Sequence, residues 1–276
     1  MGLVIDETNL YWLEGSRGTA TMTVHAMPKT GGADTVIARP ALYQPSSIAV
    51  DGQYVYWLAG CSGEDPACPT ATEGLYRVPK SAEDAAGEFM GGGYLPGMAI
   101  TGGDVFLGRI TYDTHGDPHD ELDAVPVSGG PRSNLAAMNW APGIGTDGTR
   151  VYFNGLNGFS SMPIGGGPVT PFGIPQEVDA LALDHDQLFF IADQGVFASW
   201  KNGAHLLRLA DAPSGGDLDV HAKVVYFGTG TSLNAVDADG TNLRTLDATH
   251  FNYDFVRVDD NFVFFIADGN IYRMPR

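Results

Sequence analysis

The sequence is poor in positive charge. Fifteen Lys and Arg stand against 33 Asp and Glu, a formal net charge of −18 over 276 residues. A chain this acidic offers no basic surface to displace counterions from phosphates, which argues against nucleic acid as a partner. Long apolar runs are missing as well. None approaches the roughly 18 residues a membrane helix needs. No charged segment followed by an apolar stretch precedes the strand-like run that starts at Leu3, so no signal peptide is expected in this sequence. Cysteine is almost absent: only Cys61 and Cys68 occur, in the polar segment CSGEDPAC. They read as one local disulfide, which implies an oxidising compartment and a secreted or periplasmic protein. Half of a metal site and a reduced pair are the alternatives, and no further Cys exists to complete a zinc set. The sequence has neither a GxSxG nucleophile elbow nor a phosphate-binding loop.

Turn-forming residues are abundant, with 37 Gly and 17 Pro, while 43 % of residues are hydrophobic. That combination argues against both a helical protein and a disordered one. A repeat explains it. Each copy holds an apolar residue, a free position that is usually Asp, three variable residues and an apolar-aromatic triplet. The copies are VIDETNLYW (4–12), AVDGQYVYW (49–57), AITGGDVFL (99–107), GTDGTRVYF (145–153), ALDHDQLFF (182–190), DVHAKVVYF (219–227) and RVDDNFVFF (257–265). After each comes a second apolar run, such as LYRVP (75–79) or IYRMP (271–275). A Gly-rich turn and a third short run often follow, such as TVIA (35–38) or HLLRL (205–209).

Spacing shows where the repeat is rigid. The steps from the triplet aromatic (Tyr11, Tyr56, Phe106, Tyr152, Phe189, Tyr226, Phe264) to the next anchor (Val24, Leu75, Leu122, Phe159, Val196, Leu233, Ile271) are 13, 19, 16, 7, 7, 7 and 7. The steps onward to the following aromatic are 32, 31, 30, 30, 30 and 31. Four short strands per unit, with all insertions at one place, are the pattern of a blade repeat. The expectation is an all-β, seven-bladed β-propeller of four-stranded antiparallel blades, whose last blade lacks its own fourth strand. A single domain over 1–276 would divide into blades near 3–39, 40–93, 94–137, 138–173, 174–210, 211–248 and 249–276. The last blade has either three strands or a strand supplied from upstream. Tyr11-Trp12 and Tyr56-Trp57 resemble the YWTD motif, although Leu-Glu and Leu-Ala replace its Thr-Asp. The chain as a whole resembles the YWTD, NHL and TolB-like propeller group, a resemblance that identifies no single functional family.

The recurring Asp (Asp6, Asp51, Asp147, Asp184, Asp259) reads as a turn former that bonds its own downstream backbone. Two positions earlier stand Val4, Ala49, Ala99, Gly145, Ala182, Asp219 and Arg257; the last two are opposite charges, expected to pair near the channel.

The resemblance implies a binding face formed by the loops between second and third strands and between blades. All three insertions, Leu13–Thr23, Gly60–Gly74 and Gly108–Glu121, lie there in consecutive blades. They wall one half of that face. The third reads GRITYDTHGDPHDE, and its Asp113, His115, Asp117 and His119 are candidate ligands for a divalent cation, Zn²⁺ or Ca²⁺; a solvated acidic loop is the alternative. Between blades lie Tyr43, Tyr94 and Trp140, in YQPS, YLPG and WAPG, and also Glu177, His250 and Tyr253. The first three form either an aromatic ring for a flat ligand or a repeated hinge. The last three are candidates for specific polar contacts, with Glu177 and His250 the candidate catalytic groups. The leading functional expectation is a binding propeller that takes a small molecule, a glycan or a protein segment. A metal-assisted hydrolase or lyase with its site at the top of the channel is the alternative, and a scaffold domain is a third reading.

Overall fold

The structure is a computed structural model of the chain. It describes residues 2–15, 22–39, 45–59, 74–139, 143–174, 177–213 and 216–276, with backbone alone at 45–46 and 94–95. Two compact units divide the chain, Met1–Trp140 and Ala141–Arg276. Among the described residues there is no helix.

The first unit is built of four-stranded antiparallel meanders. β1 (Gly2–Ile5), β2 (Asn9–Gly15), β3 (Met22–Pro28) and β4 (Thr35–Ala38) pair in order. β5 (Pro45–Val50), β6 (Tyr54–Ala59), β7 (Gly74–Pro79) and β8 (Glu88–Gly91) repeat the arrangement. So do β9 (Tyr94–Thr101), β10 (Asp104–Tyr112), β11 (Pro118–Pro126) and β12 (Ser133–Met138). In the second unit the same order runs through β13 (Gly145–Thr146), β14 (Arg150–Gly155), β15 (Gly158–Pro163) and β16 (Thr170–Pro171). It continues in β17 (Ala180–Asp184), β18 (Gln187–Ala192), β19 (Gly195–Trp200) and β20 (Leu207–Asp211). β21 (Leu218–His221), β22 (Val224–Gly228), β23 (Leu233–Asp237) and β24 (Arg244–Asp247) follow. The last sheet has three strands, β25 (Phe255–Val258), β26 (Phe262–Ala267) and β27 (Asn270–Pro275).

Within each unit the first strand of one sheet lies against the first strand of the next: β1 on β5 and β5 on β9, then β17 on β21 and β21 on β25. Every second strand is thereby covered on both faces, so its apolar-aromatic triplet needs no alternation. Tyr11, Leu13 and Val24 of one sheet interlock with Val55, Trp57 and Tyr76 of its neighbour, all buried. Each such side chain contributes about 1.5–3 kcal/mol when fully removed from water. Close approach also sets one glycine: a Cβ at Gly228 would run into the Tyr253 carbonyl of the next sheet.

The recurrent Asp acts as a turn former. Asp147 Oδ1 accepts the backbone N–H groups of Thr149 and Arg150, each at 2.9 Å, and its Oδ2 accepts the Tyr152 hydroxyl at 2.8 Å. Asp6 and Asp51 repeat this with Tyr11 and Tyr56. A lysine following the next sheet's third strand closes two of the turns: Lys80 on Asp6 at 2.7 Å and Lys201 on Asp147 at 3.3 Å. Spacing of five places the Tyr hydroxyl beside the turn, and the copies at Asp184 and Asp259 carry Phe there instead. Although burial alone would raise them, these hydrogen bonds hold the Asp6 and Asp147 carboxyls well below the usual range.

Candidate functional site

The long insertion between second and third strands of the third sheet was expected as a loop. It is a hairpin. β10 and β11 stay paired from Asp104↔Pro126 out to Tyr112↔Pro118. The alternation of RITY (109–112) is consistent with it, since Ile, Thr and Tyr suit a pleated surface. Only Asp113–Asp117 turns, with Gly116 at φ 87° and Asp113 Oδ1 accepting the N–H groups of His115 and Asp117. Directly opposed residues share a face. One face therefore carries Ile110 with Asp120 and Tyr112 with Pro118; the Tyr112 side chain is 70 % exposed. The other face carries Arg109 with Glu121 and Thr111 with His119. Arg109 bonds Glu121 and the fully buried Asp123, and Arg132 reaches Asp123 at 3.4 Å. This ionic network, centred on the buried Asp123, clamps the base of the hairpin.

The candidate metal ligands gather at the hairpin tip. His115 Nδ1 and His119 Nε2 each lie 3.6 Å from Asp113 Oδ2. Both imidazoles are exposed, and Asp117 contributes backbone to the turn. Backbone N–H donors to the Asp113 carboxylate lower its pKa. Among the described residues no group of three or more His, Cys, Asp or Glu side chains is arranged to hold a metal ion. Because Asp113, His115 and His119 are not grouped as such a set among the described residues, titration with Zn²⁺ or Ca²⁺ is expected to leave the melting temperature unchanged. An increase that His119→Ala abolishes would overturn that expectation.

The blade-to-blade candidates fare differently. Tyr253 is buried, donates its hydroxyl to Asp247 at 2.9 Å and accepts the His250 N–H at 3.0 Å. His250 lies 4.1 Å from the Tyr272 ring, with Nδ1 3.1 Å from Asp268 Oδ2 and Nε2 3.9 Å from Asp247. Asp268 also accepts the Phe251 N–H, so the loop is locked while the Phe251 ring stays 68 % exposed. Glu177 is exposed. Tyr94, expected in a loop, starts β9 opposite Arg109, and its side chain lies outside the described residues. Tyr43, Trp140, Cys61 and Cys68 also lie outside them.

The charge pair at the inner strands is corrected in detail. Arg257 donates to Asp217 at 2.6 Å, not to Asp219. Asp219 instead accepts the backbone N–H of Val258 at 2.8 Å and of Val220 at 2.8 Å. Asp217 accepts the Val256 N–H at 3.2 Å, so both carboxylates satisfy backbone donors of β25. Burial pushes the Asp219 carboxyl up to about 6, against the pull of Arg257.

One constellation had no signal in the repeat. His25, only 6 % exposed, stacks on Trp12 at 4.9 Å, with Nδ1 2.8 Å from Asp34 and Nε2 2.7 Å from Thr23 Oγ1. Its ring takes the cross-strand place that Tyr76 takes over Trp57 and Phe197 over Phe190.

No protein-family model and no curated protein matches the chain. Solved structures do. A chain in the crystal structure of a nidogen/laminin complex has a TM-score of 0.61 at 14 % identity, covering 87 % of this chain and 92 % of that one. BamB from Moraxella catarrhalis has 0.61 at 12 %, covering 99 % and 82 %. The fold is a β-propeller. The extracellular domain of the hybrid two-component system BT4673 from B. thetaiotaomicron is also similar, with 0.64 at 12 %, covering 97 % of this chain and 38 % of that one. At such identities the likeness carries the fold and no activity. No helix among the described residues is long and apolar enough to cross a membrane.

Proposed function

We propose that the chain is a seven-bladed β-propeller that serves as a protein-binding module outside the cytoplasm, with the β10–β11 hairpin as its principal contact. The observation that carries this reading is the Tyr112–Pro118–Ile110 face, an exposed aromatic and its apolar neighbours held out on a hairpin whose base is clamped by ions. Rigid aromatic anchors bind with little loss of side-chain freedom. Phe251, on its locked loop, has the same character in the second unit. Support for a protein partner also comes from the similarity to a chain in a protein–protein complex. The acidic hairpin, with Asp113, Asp117 and Asp120, favours a neutral or basic contact surface. The Cys61–Cys68 pair and the likeness to an extracellular domain support the compartment.

The test is a binding screen of the chain against extracellular proteins, glycans and small metabolites, repeated with Tyr112→Ser. The expected result is a protein ligand whose affinity falls by about tenfold or more in the variant, the effect of one lost anchor of over 1.4 kcal/mol, at an unchanged melting temperature. A ligand whose binding ignores Tyr112→Ser would refute the hairpin as the contact.

A further inference from the structure

The residue that follows the third strand of a sheet holds a fixed place in the repeat. The N–H groups of Lys80, Lys201 and Ala238 each donate to a carbonyl in the turn between the first two strands of their own sheet. The acceptors are Gln53, Asp186 and Lys223, at 2.9, 3.0 and 2.8 Å. These hydrogen bonds make the three residues equivalent. Lys80 and Lys201 reach back to the preceding sheet, where their ammonium groups meet the turn carboxylates of Asp6 and Asp147 at 2.7 and 3.3 Å. Ala238 stands in the same place behind Asp184, the turn carboxylate of the sheet before it, and offers only a methyl group.

A cavity of about 420 Å³ opens there, a volume in the range of small-molecule sites. Gln187 of β18 forms one wall, and Lys223, Val224, Asp237, Ala238 and Asp239 of the next sheet form the other. Gln187 is the cross-strand partner of Asp184. Asp184 is half-buried, and its Oδ1 accepts the His185 N–H at 2.7 Å. Phe189 stands where Tyr11 and Tyr152 give their hydroxyls to Asp6 and Asp147. Among the described residues neither a hydroxyl nor a cation reaches the Asp184 carboxylate.

We propose that this cavity binds a small straight-chain diamine, one ammonium taking beside Asp184 the place that Lys80 takes beside Asp6. The other sheets supply the pattern: a turn carboxylate met by an ammonium carried on an alkyl chain. Here the chain has given up that side chain and left the space open. Val224 and Ala238 suit the alkyl part, while Asp237 and Asp239 add negative charge for the second ammonium. Lys223 on the same wall has the ligand's own sign and works against it.

Calorimetric titration of cadaverine into the full chain tests the proposal. Saturable binding is expected, and none with pentanol, which lacks the charge. Asp184→Asn keeps the side chain's shape and should weaken binding about tenfold or more. Asp193→Asn makes the same change of net charge at an exposed position beyond the far end of β18, and should leave binding unaltered. That pair separates the site from general attraction to an acidic chain. Ala238→Lys should abolish binding, because the protein then supplies the ammonium itself, and Lys223→Ala should strengthen it. Melting temperatures establish that each variant is folded. No saturable binding, equal weakening by Asp184→Asn and Asp193→Asn, undiminished binding by Ala238→Lys, or weaker binding by Lys223→Ala would each overturn the proposal.

Discussion

Asp147→Ala is expected to lower stability by about 2–4 kcal/mol, one of the two largest effects foreseen for a single substitution. The carboxylate gathers the N–H groups of Thr149 and Arg150, the Thr149 and Tyr152 hydroxyls and Lys201, and its side chain is 13 % exposed. Alanine removes the turn's local acceptor and leaves the hydroxyl of the fully buried Tyr152 without its partner. A buried donor stripped of its acceptor costs about 1–3 kcal/mol, and loss of the turn adds to that. Asp147→Asn keeps one oxygen for the backbone and loses mainly the charge, so its cost should be about 1 kcal/mol. Denaturant unfolding of the three proteins checks the order. Equal stability of wild type and Asp147→Ala would sink the turn-former account. The same carboxylates set an acid limit. The folded Asp6 and Asp147 have lowered pKa values, so they add stability above the ordinary carboxylate pKa near 4 and lose it as pH falls further.

Arg257→Met is expected to cost about 2–4 kcal/mol at pH 7 and distinctly less at pH 4. The guanidinium stands between Asp217 and Asp219, with its own side chain 25 % and that of Asp217 18 % exposed. Removing one member of a buried ionic group strands the others, a loss of roughly 3–5 kcal/mol when burial is complete and smaller here because solvent reaches the group. The sign with pH follows from Asp219. Its folded pKa is raised to about 6, so the folded state holds a proton that the unfolded chain releases near 4. Its contribution is therefore present at low pH, declines as pH rises from about 4 to about 6, and is level above that. In the variant the carboxylates lose their cation and the decline steepens. Thermal melts from pH 4 to pH 7 test it. A pH-independent difference between the two proteins would mean that Arg257 acts through packing alone.

The turn chemistry was legible because it is local. An Asp accepting N–H groups two and three residues on, with a Tyr five residues on, is written within six consecutive positions. The second-strand triplets were equally plain, because burial on both faces demands continuous apolar residues. The hairpin's outer part, 108–121, was expected as a loop because its strands interleave charge with Ile, Thr and Tyr, a pattern that a solvated loop shares. Its pairing is fixed by Arg109 and Asp123, which are 14 residues apart.

The sequence by itself determined the repeat, its strand order and its turns, since each rests on contacts within one sheet and on side chains only a few residues apart. Its shortage of positive charge set the expectation of a neutral or basic partner, and part of the excess acid falls at the hairpin tip, at Asp113 and Asp117. Only the tertiary structure decided which charge meets which. Arg257 pairs with Asp217 at 2.6 Å, while Asp217 and Asp219 both also accept backbone N–H groups of the neighbouring strand. His250 and Tyr253 went to lock a loop because Asp247 and Asp268 lie beside them in space. Such choices depend on distances between sheets, and no spacing along the chain encodes them.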